Sequence, residues 1–238
     1  MKDSKHVGER WQRRFFSVWG GQAVSLFGSN LVQFGLVWWL TESTGSATVL
    51  AMATLVALLP SVFLSPFAGA LVDRWNRRRV LIVADTLIAL VTVGLAGLFL
   101  VGAERVWLVY LVMFLRAAGG SFHWPAMQAS TSLMVPEQHL SRIAGLNQSL
   151  RGAVGIVAPP AGALLLQILP LQAVLAIDVG TALFAIVPLF FVHIPQPASS
   201  AEGDGALPDG ALPAVSLLED VRQGFRYVRG WPGLFAIL

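Results

Sequence analysis

The sequence has no cysteine and little charge. Only 12% of its 238 residues are Asp, Glu, Lys or Arg, while 55% are hydrophobic. Without cysteine there is no disulfide, no zinc thiolate site and no cysteine nucleophile. Soluble domains carry about 25% charged residues, so a chain this poor in charge has lipid as its main solvent. The sequence also lacks H-E-x-x-H, G-x-S-x-G and G-x-x-x-x-G-K-[ST], and its four histidines are scattered. Nothing in it assembles a hydrolytic site, a metal site or an ATP-binding P-loop. The expectation is a protein that is not an enzyme and needs no cofactor or metal.

What is present is a series of long apolar runs, at 15–40, 47–72, 80–101, 106–135, 143–169 and 171–192. Each is long enough to cross a bilayer as a helix. None shows the period-2 alternation of strands or of a membrane β-barrel. The expected fold is all-α, a polytopic bundle of six transmembrane helices over residues 15–193. Residues 1–14 are basic, and the apolar run after them is long and has no small-residue cleavage site. It reads as a retained first span.

The cations orient this bundle. With the N-terminus inside and the spans alternating, Lys2, Lys5, Arg10, Arg13, Arg14, Arg74, Arg77, Arg78, Arg79, Arg142, Arg222, Arg226 and Arg229 all fall on the cytoplasmic side. Only Arg105 falls outside. That asymmetry predicts an N-in, C-in topology, with Trp38, Trp39 and Trp107 at the outer interface. It also explains the net charge of +3 without nucleic acid as a partner.

After the sixth run the composition changes. Residues 194–213 are rich in Pro, Gly and Ala and read as a flexible cytoplasmic linker. Residues 214–230 place Val215, Leu218, Val221, Phe225 and Val228 at helical spacing, as in an amphipathic helix at the membrane surface. Residues 231–238 resemble the start of a seventh transmembrane helix, cut off.

The densest charge lies between the second and third runs, in GALVDRWNRRRVL. Gly69, Asp73, Arg74, Arg77 and Arg78 form G-x-x-x-D-R-x-x-R-R. Gly69 would let the second helix approach a neighbour closely. Asp73 would pair with nearby arginines in one conformation, and the arginines would anchor to anionic headgroups. Asn76 would tolerate a positive φ in a tight turn. The pattern resembles the cytoplasmic loop motif of the major facilitator superfamily, with Asn76 at a usual glycine. In the fourth span, VMFLRAAGG resembles that family's l-x-x-x-R-x-x-q-G, matched at Arg116 and Gly120. In the fifth, Gly145, Pro159 and Gly162 match an antiporter pattern of small residues and proline that serves close helix packing.

Within the spans, polar groups are the candidates for function. Arg116 lies near the midplane on one face with Gly119, Gly120, His123 and Ser130, and reads as lining a cavity. Gln22, Ser25, Ser29 and Gln33 form a stripe on the first span with Asn30 beside it, facing a wet cavity or a partner helix. Phe34 and Trp38 offer apolar contact to a bulky substrate. Arg151, clustered with Asn147 and Gln148, is a second cavity candidate. Asp85, Asp178 and His123 are the groups able to exchange a proton. Asp85 reads alternatively as an ion-pair partner of Arg79 or Arg142.

The resemblance implies a secondary transporter of the cell inner (plasma) membrane. Its partners would be the lipid bilayer, a small amphipathic substrate, the proton gradient and a missing C-terminal six-helix half. Phrases such as LSPFAGALVDRWNRRRVLIVAD resemble the macrolide-efflux and siderophore-exporter branch. Proton-coupled efflux of a macrolide-like compound is the leading expectation. Export of a siderophore or lysophospholipid is one alternative, and a non-transporting membrane scaffold or half-protein is another.

Overall fold

The computed structural model describes residues 3–192 and Ile194, with side chains for 11–192 and Ile194. Apart from Ile194, the expected linker, surface helix and start of a seventh helix lie outside the described residues. Six helices follow one another: α1 (Asp3–Thr44), α2 (Ala47–Arg74), α3 (Arg77–Leu100), α4 (Val106–Met134), α5 (Glu137–Ile168) and α6 (Leu171–Phe191). All six are long and apolar enough to cross a membrane. There is no strand among the described residues.

The ends of the helices follow local chemistry. Gly45 takes φ +60 after α1, the left-handed conformation a helix C-terminus favours in glycine. Ser46 then caps α2 by accepting from the Val49 amide at 3.4 Å. Pro136 and Pro170 directly precede α5 and α6. Several helices start or end outside the apolar runs. α3 starts at Arg77 instead of residue 80, and α5 at Glu137 instead of 143. Hydropathy marks only the part that lipid surrounds, whereas backbone hydrogen bonding continues into polar turns.

Side by side, the helices pack in the order α2, α4, α3, α6, α1, α5. The interior has two apolar clusters. One holds Leu36, Leu40, Leu95, Met113 and Leu175. The other holds Phe15, Leu81, Met127 and Leu189 and lies toward the end bearing the α2–α3 loop. On α1, α3, α4 and α6, buried polar residues lie between the positions that feed the two clusters.

Helix α1 meets α6 along a line of glycines. A methyl group at Gly21 would come within 3.0 Å of the Ala185 Cα, and one at Gly35 within 2.9 Å of the Leu171 Cδ1. At Gly28 it would collide with the Thr181 hydroxyl and reach 3.3 Å from the Asp178 Cα. The seven-residue spacing keeps all three on one face of α1, so small residues let two backbones approach closely.

Candidate functional site

Polar residues of α1, α3, α4 and α6 form two layers inside the bundle. Gln22 and Ser29 on α1, Asp85 and Thr92 on α3, and Arg116 and His123 on α4 are each separated by seven residues. Seven residues are two turns, or roughly 10 Å of rise. Helix α4 runs opposite to α1 and α3, so its order inverts and the partners align. Gln22, Asp85 and His123 meet in the layer nearer the arginine-rich loop. Ser29, Thr92, Arg116 and Asp178 meet in the other.

The second layer is an ion pair within a hydrogen-bonded cage. Arg116 Nη1 lies 2.5 Å from Asp178 Oδ2. The same nitrogen donates to the Thr92 hydroxyl. Ser29 donates to Asp178 Oδ1 at 3.0 Å. The Arg116 side chain is 7% exposed and that of Asp178 1%. Burying either charge alone in an apolar bundle is costly, and the pair with its hydroxyl partners offsets that cost. Arg116 was expected to line a cavity; among the described residues it is turned into the bundle and held by Asp178.

The first layer is a triangle. Gln22 Nε2 donates to Asp85 Oδ2 at 2.9 Å. His123 Nε2 is 2.8 Å from Gln22 Oε1 and 3.3 Å from Asp85 Oδ1. Asp85 thus pairs with neither Arg79 nor Arg142. Six residues at 100° each put Asp85 about 120° round the helix from Arg79, and α3 makes no contact with α5, which carries Arg142. The α1 stripe divides in the same way. Gln22 and Ser29 reach acids on neighbouring helices, the partner-helix alternative of the two. Asn30 donates back to the Leu26 carbonyl of its own helix at 2.8 Å, and Gln33 is half-buried outside both layers.

The remaining candidates lie apart. Phe34 stacks on Trp38 with ring centroids 5.9 Å apart. It also packs on Gly162, where a methyl group would come within 2.8 Å of the ring. Arg151 sits on the exposed side of α5 with its guanidinium carbon 3.0 Å from the centre of the Trp124 ring. Asn147 accepts from the Trp19 indole at 2.7 Å. Of the two glycines in the expected packing triplet, Gly162 is in tight contact. Gly145 is exposed with open space around it, because it lies about 200° round α5 from buried Ile143. Pro159 is half-buried, and α5 stays helical through it.

The α2–α3 loop holds two surprises. Asn76 has φ −66, not a positive value, and caps α3 by accepting from the Arg79 amide. The loop needs a cap there, and asparagine supplies one. Gly69 has nothing within 4 Å of where a methyl group would go, because α2 is buried along Ala53, Pro60, Ala68 and Val72. Asp73 pairs with Arg77 at 3.7 Å, as expected of an acid with arginines in reach. Arg77 and Arg78 do not simply project to headgroups. Arg77 is buried and donates to the Ala129 carbonyl of α4 at 3.3 Å. Arg78 donates to the Phe190 carbonyl at the end of α6 at 2.7 Å. Arg74 lines a cavity of about 550 Å³ with Trp75, Arg79, Val83, Leu87 and Phe122.

Six membrane-length helices, the loop motif and the arginine in the fourth helix fit one known family. The sequence pattern defining the Major Facilitator Superfamily matches residues 18–238. The chain belongs to that superfamily. Among its relatives, Macrolide efflux protein A of Streptococcus pyogenes is 37% identical over 228 residues, 96% of this chain and 54% of its own length. The protein of the same name in Enterococcus faecalis is 36% identical over 194 residues, 82% of this chain and 57% of its own length. Multidrug efflux pump Tap of Mycolicibacterium fortuitum is 25% identical over 208 residues, covering 84% and 48% respectively. The chain spans about half the length of the curated relatives it matches.

Heptad-spaced polar residues on α1, α3 and α4 were visible in the sequence as pairs seven apart. So was Gly21-Gly28-Gly35. Reading the α1 stripe by itself, without pairing its period to the other helices, hid both the layers and the glycine line.

Proposed function

We propose that this protein exports an amphipathic small molecule of macrolide type by alternating access, with the proton gradient as driving force. The observation that carries this reading is the 37% identity to a macrolide efflux protein over 96% of the chain. Two six-helix bundles would rock about a central site, and the described helices would be the first of them. Helices α2 and α5 are the least buried of the six, which suits them to face lipid and a second bundle reached through the linker at 194–213. Cations gathered beside the α2–α3 loop support an N-in, C-in orientation in the cell membrane.

In this reading the loop is a latch. Asp73 exchanges its Arg77 contact for one on the second bundle when the transporter changes state. Arg77 and Arg78 tie the latch to α4 and α6. Asp73→Asn is expected to slow transport strongly while the protein still inserts. Normal transport by that variant would remove the latch role.

Uptake into inverted vesicles of the full-length protein tests the function. A macrolide is expected to accumulate, and a catecholate siderophore and a lysophospholipid are not. Accumulation of either of those instead would move the substrate class. Accumulation of none of the three would overturn the reading.

A further inference from the structure

We propose that Gln22, Asp85 and His123 form a single-proton site, separate from the Arg116–Asp178 pair. The geometry limits the protons the triangle can hold. An ionised Asp85 only accepts hydrogen bonds, so the Gln22 atom next to it is the amide nitrogen, and the Gln22 carbonyl faces His123. His123 Nε2 therefore lies between two acceptors, Gln22 Oε1 at 2.8 Å and Asp85 Oδ1 at 3.3 Å. It must carry hydrogen. With Nε2–H fixed, the other ring nitrogen decides the charge. When Nδ1 is bare the triangle carries one negative charge, on Asp85. One proton added at Nδ1 makes an imidazolium beside the carboxylate, and the triangle is neutral.

The surroundings favour this site over the other layer as the place of exchange. The His123 side chain is 21% exposed and that of Asp85 5%, so His123 is the more accessible member of the triangle. Arg116 and Asp178 are 7% and 1% exposed, and a guanidinium does not release its proton. The charged groups facing the triangle are few. Helix α1 contributes Gln22 and, about two turns away, Arg14; α5 carries Arg151 against Trp124, the neighbour of His123, and α2 is charged only at its Asp73–Arg74 end. Helix α4 contributes His123 and, two turns away, Arg116, and α6 contributes Asp178. On α3 itself the nearest cations are Arg77, Arg78 and Arg79 at its start. Because Arg116 and Asp178 neutralise each other, one proton at the triangle changes the net charge of the whole band.

The role of this proton in transport rests on the exporter reading, but the proton count does not. The protein in lipid nanodiscs is titrated between about pH 5 and 8, the range in which histidine exchanges protons, and bound protons are counted with a dye. Asp85→Asn and His123→Gln are each expected to bind one proton fewer than the wild type. Arg79→Gln, outside the triangle, is expected to leave the count unchanged. Should either variant fail to fold, as judged by gel filtration and circular dichroism, nitrogen NMR of labelled histidine in the wild type replaces it. That spectrum is expected to show His123 with Nε2 protonated throughout and Nδ1 gaining its proton as the pH falls. An unchanged count in both variants, or a His123 ring bare at Nε2, would overturn the site. A lost proton together with unaltered efflux would keep the site and remove only its link to transport.

Discussion

The two polar layers share three helices at the same spacing, one layer adding Asp178 from α6, yet they differ in kind. Around Arg116, the cation is permanent and both charges are enclosed. Around His123, the cation exists only when a proton arrives, and one member of the layer is partly exposed. An arginine layer holds helices together, and a histidine layer can respond. The comparison shows that a charged residue inside a membrane domain is not by itself evidence of a binding cavity. Its partner and its exposure decide whether it is a fixed tie or a switch.

The largest expected effect lies at the fixed layer. Arg116→Ala leaves Asp178 buried without a counter-charge, which costs about 3–5 kcal/mol when one member of a buried pair is removed. Efflux should be abolished, and thermal unfolding in detergent should occur well below that of the wild type. Equal stability would mean that the pair is no tie. Next comes Asp85→Asn at the histidine layer. It should lose proton-driven accumulation yet leave the unfolding temperature close to wild type, since asparagine keeps the Gln22 contact. Gly28→Ala follows. It forces a methyl group toward Thr181 and Asp178, and overpacking of this sort costs about 1–3 kcal/mol. A thermal melt should register that loss, and Gly69→Ala should register none. Smallest is Arg79→Gln, which should alter neither coupling nor stability, since Arg79 is not the partner of Asp85.

Much of the fold was legible in the sequence. Six uninterrupted apolar runs can only be helices in lipid, because every backbone group must be satisfied within its own segment. Arg116, Asp85, Asp178, His123 and Gln22 were all singled out as polar groups in apolar surroundings. Their pairing was not legible. Asp85 was offered Arg79 or Arg142 as ion-pair partner, whereas the helix rotates it away from Arg79 toward α1 and α4, and α5 with Arg142 does not pack on α3. Asp178 and Arg116 are 62 residues apart, and nothing local connects them. Asn76 shows the same gap at smaller scale. The residue type fitted a positive φ, and the backbone uses its side chain as a cap instead. Gly69 and Gly145 matched motif positions but touch no neighbour among the described residues. The glycines along the α1–α6 contact, Gly21, Gly28 and Gly35, belong to no motif, while Gly162, a motif position, packs on Phe34 of α1.

The most direct test of the contrast between a fixed and a responsive layer is transport by the full-length Asp85→Asn variant in proteoliposomes. Two modes are compared: accumulation driven by an imposed pH gradient, and exchange of labelled for unlabelled substrate with no gradient. The account predicts that accumulation is lost and exchange is retained. Accumulation at the wild-type rate under the pH gradient would contradict it.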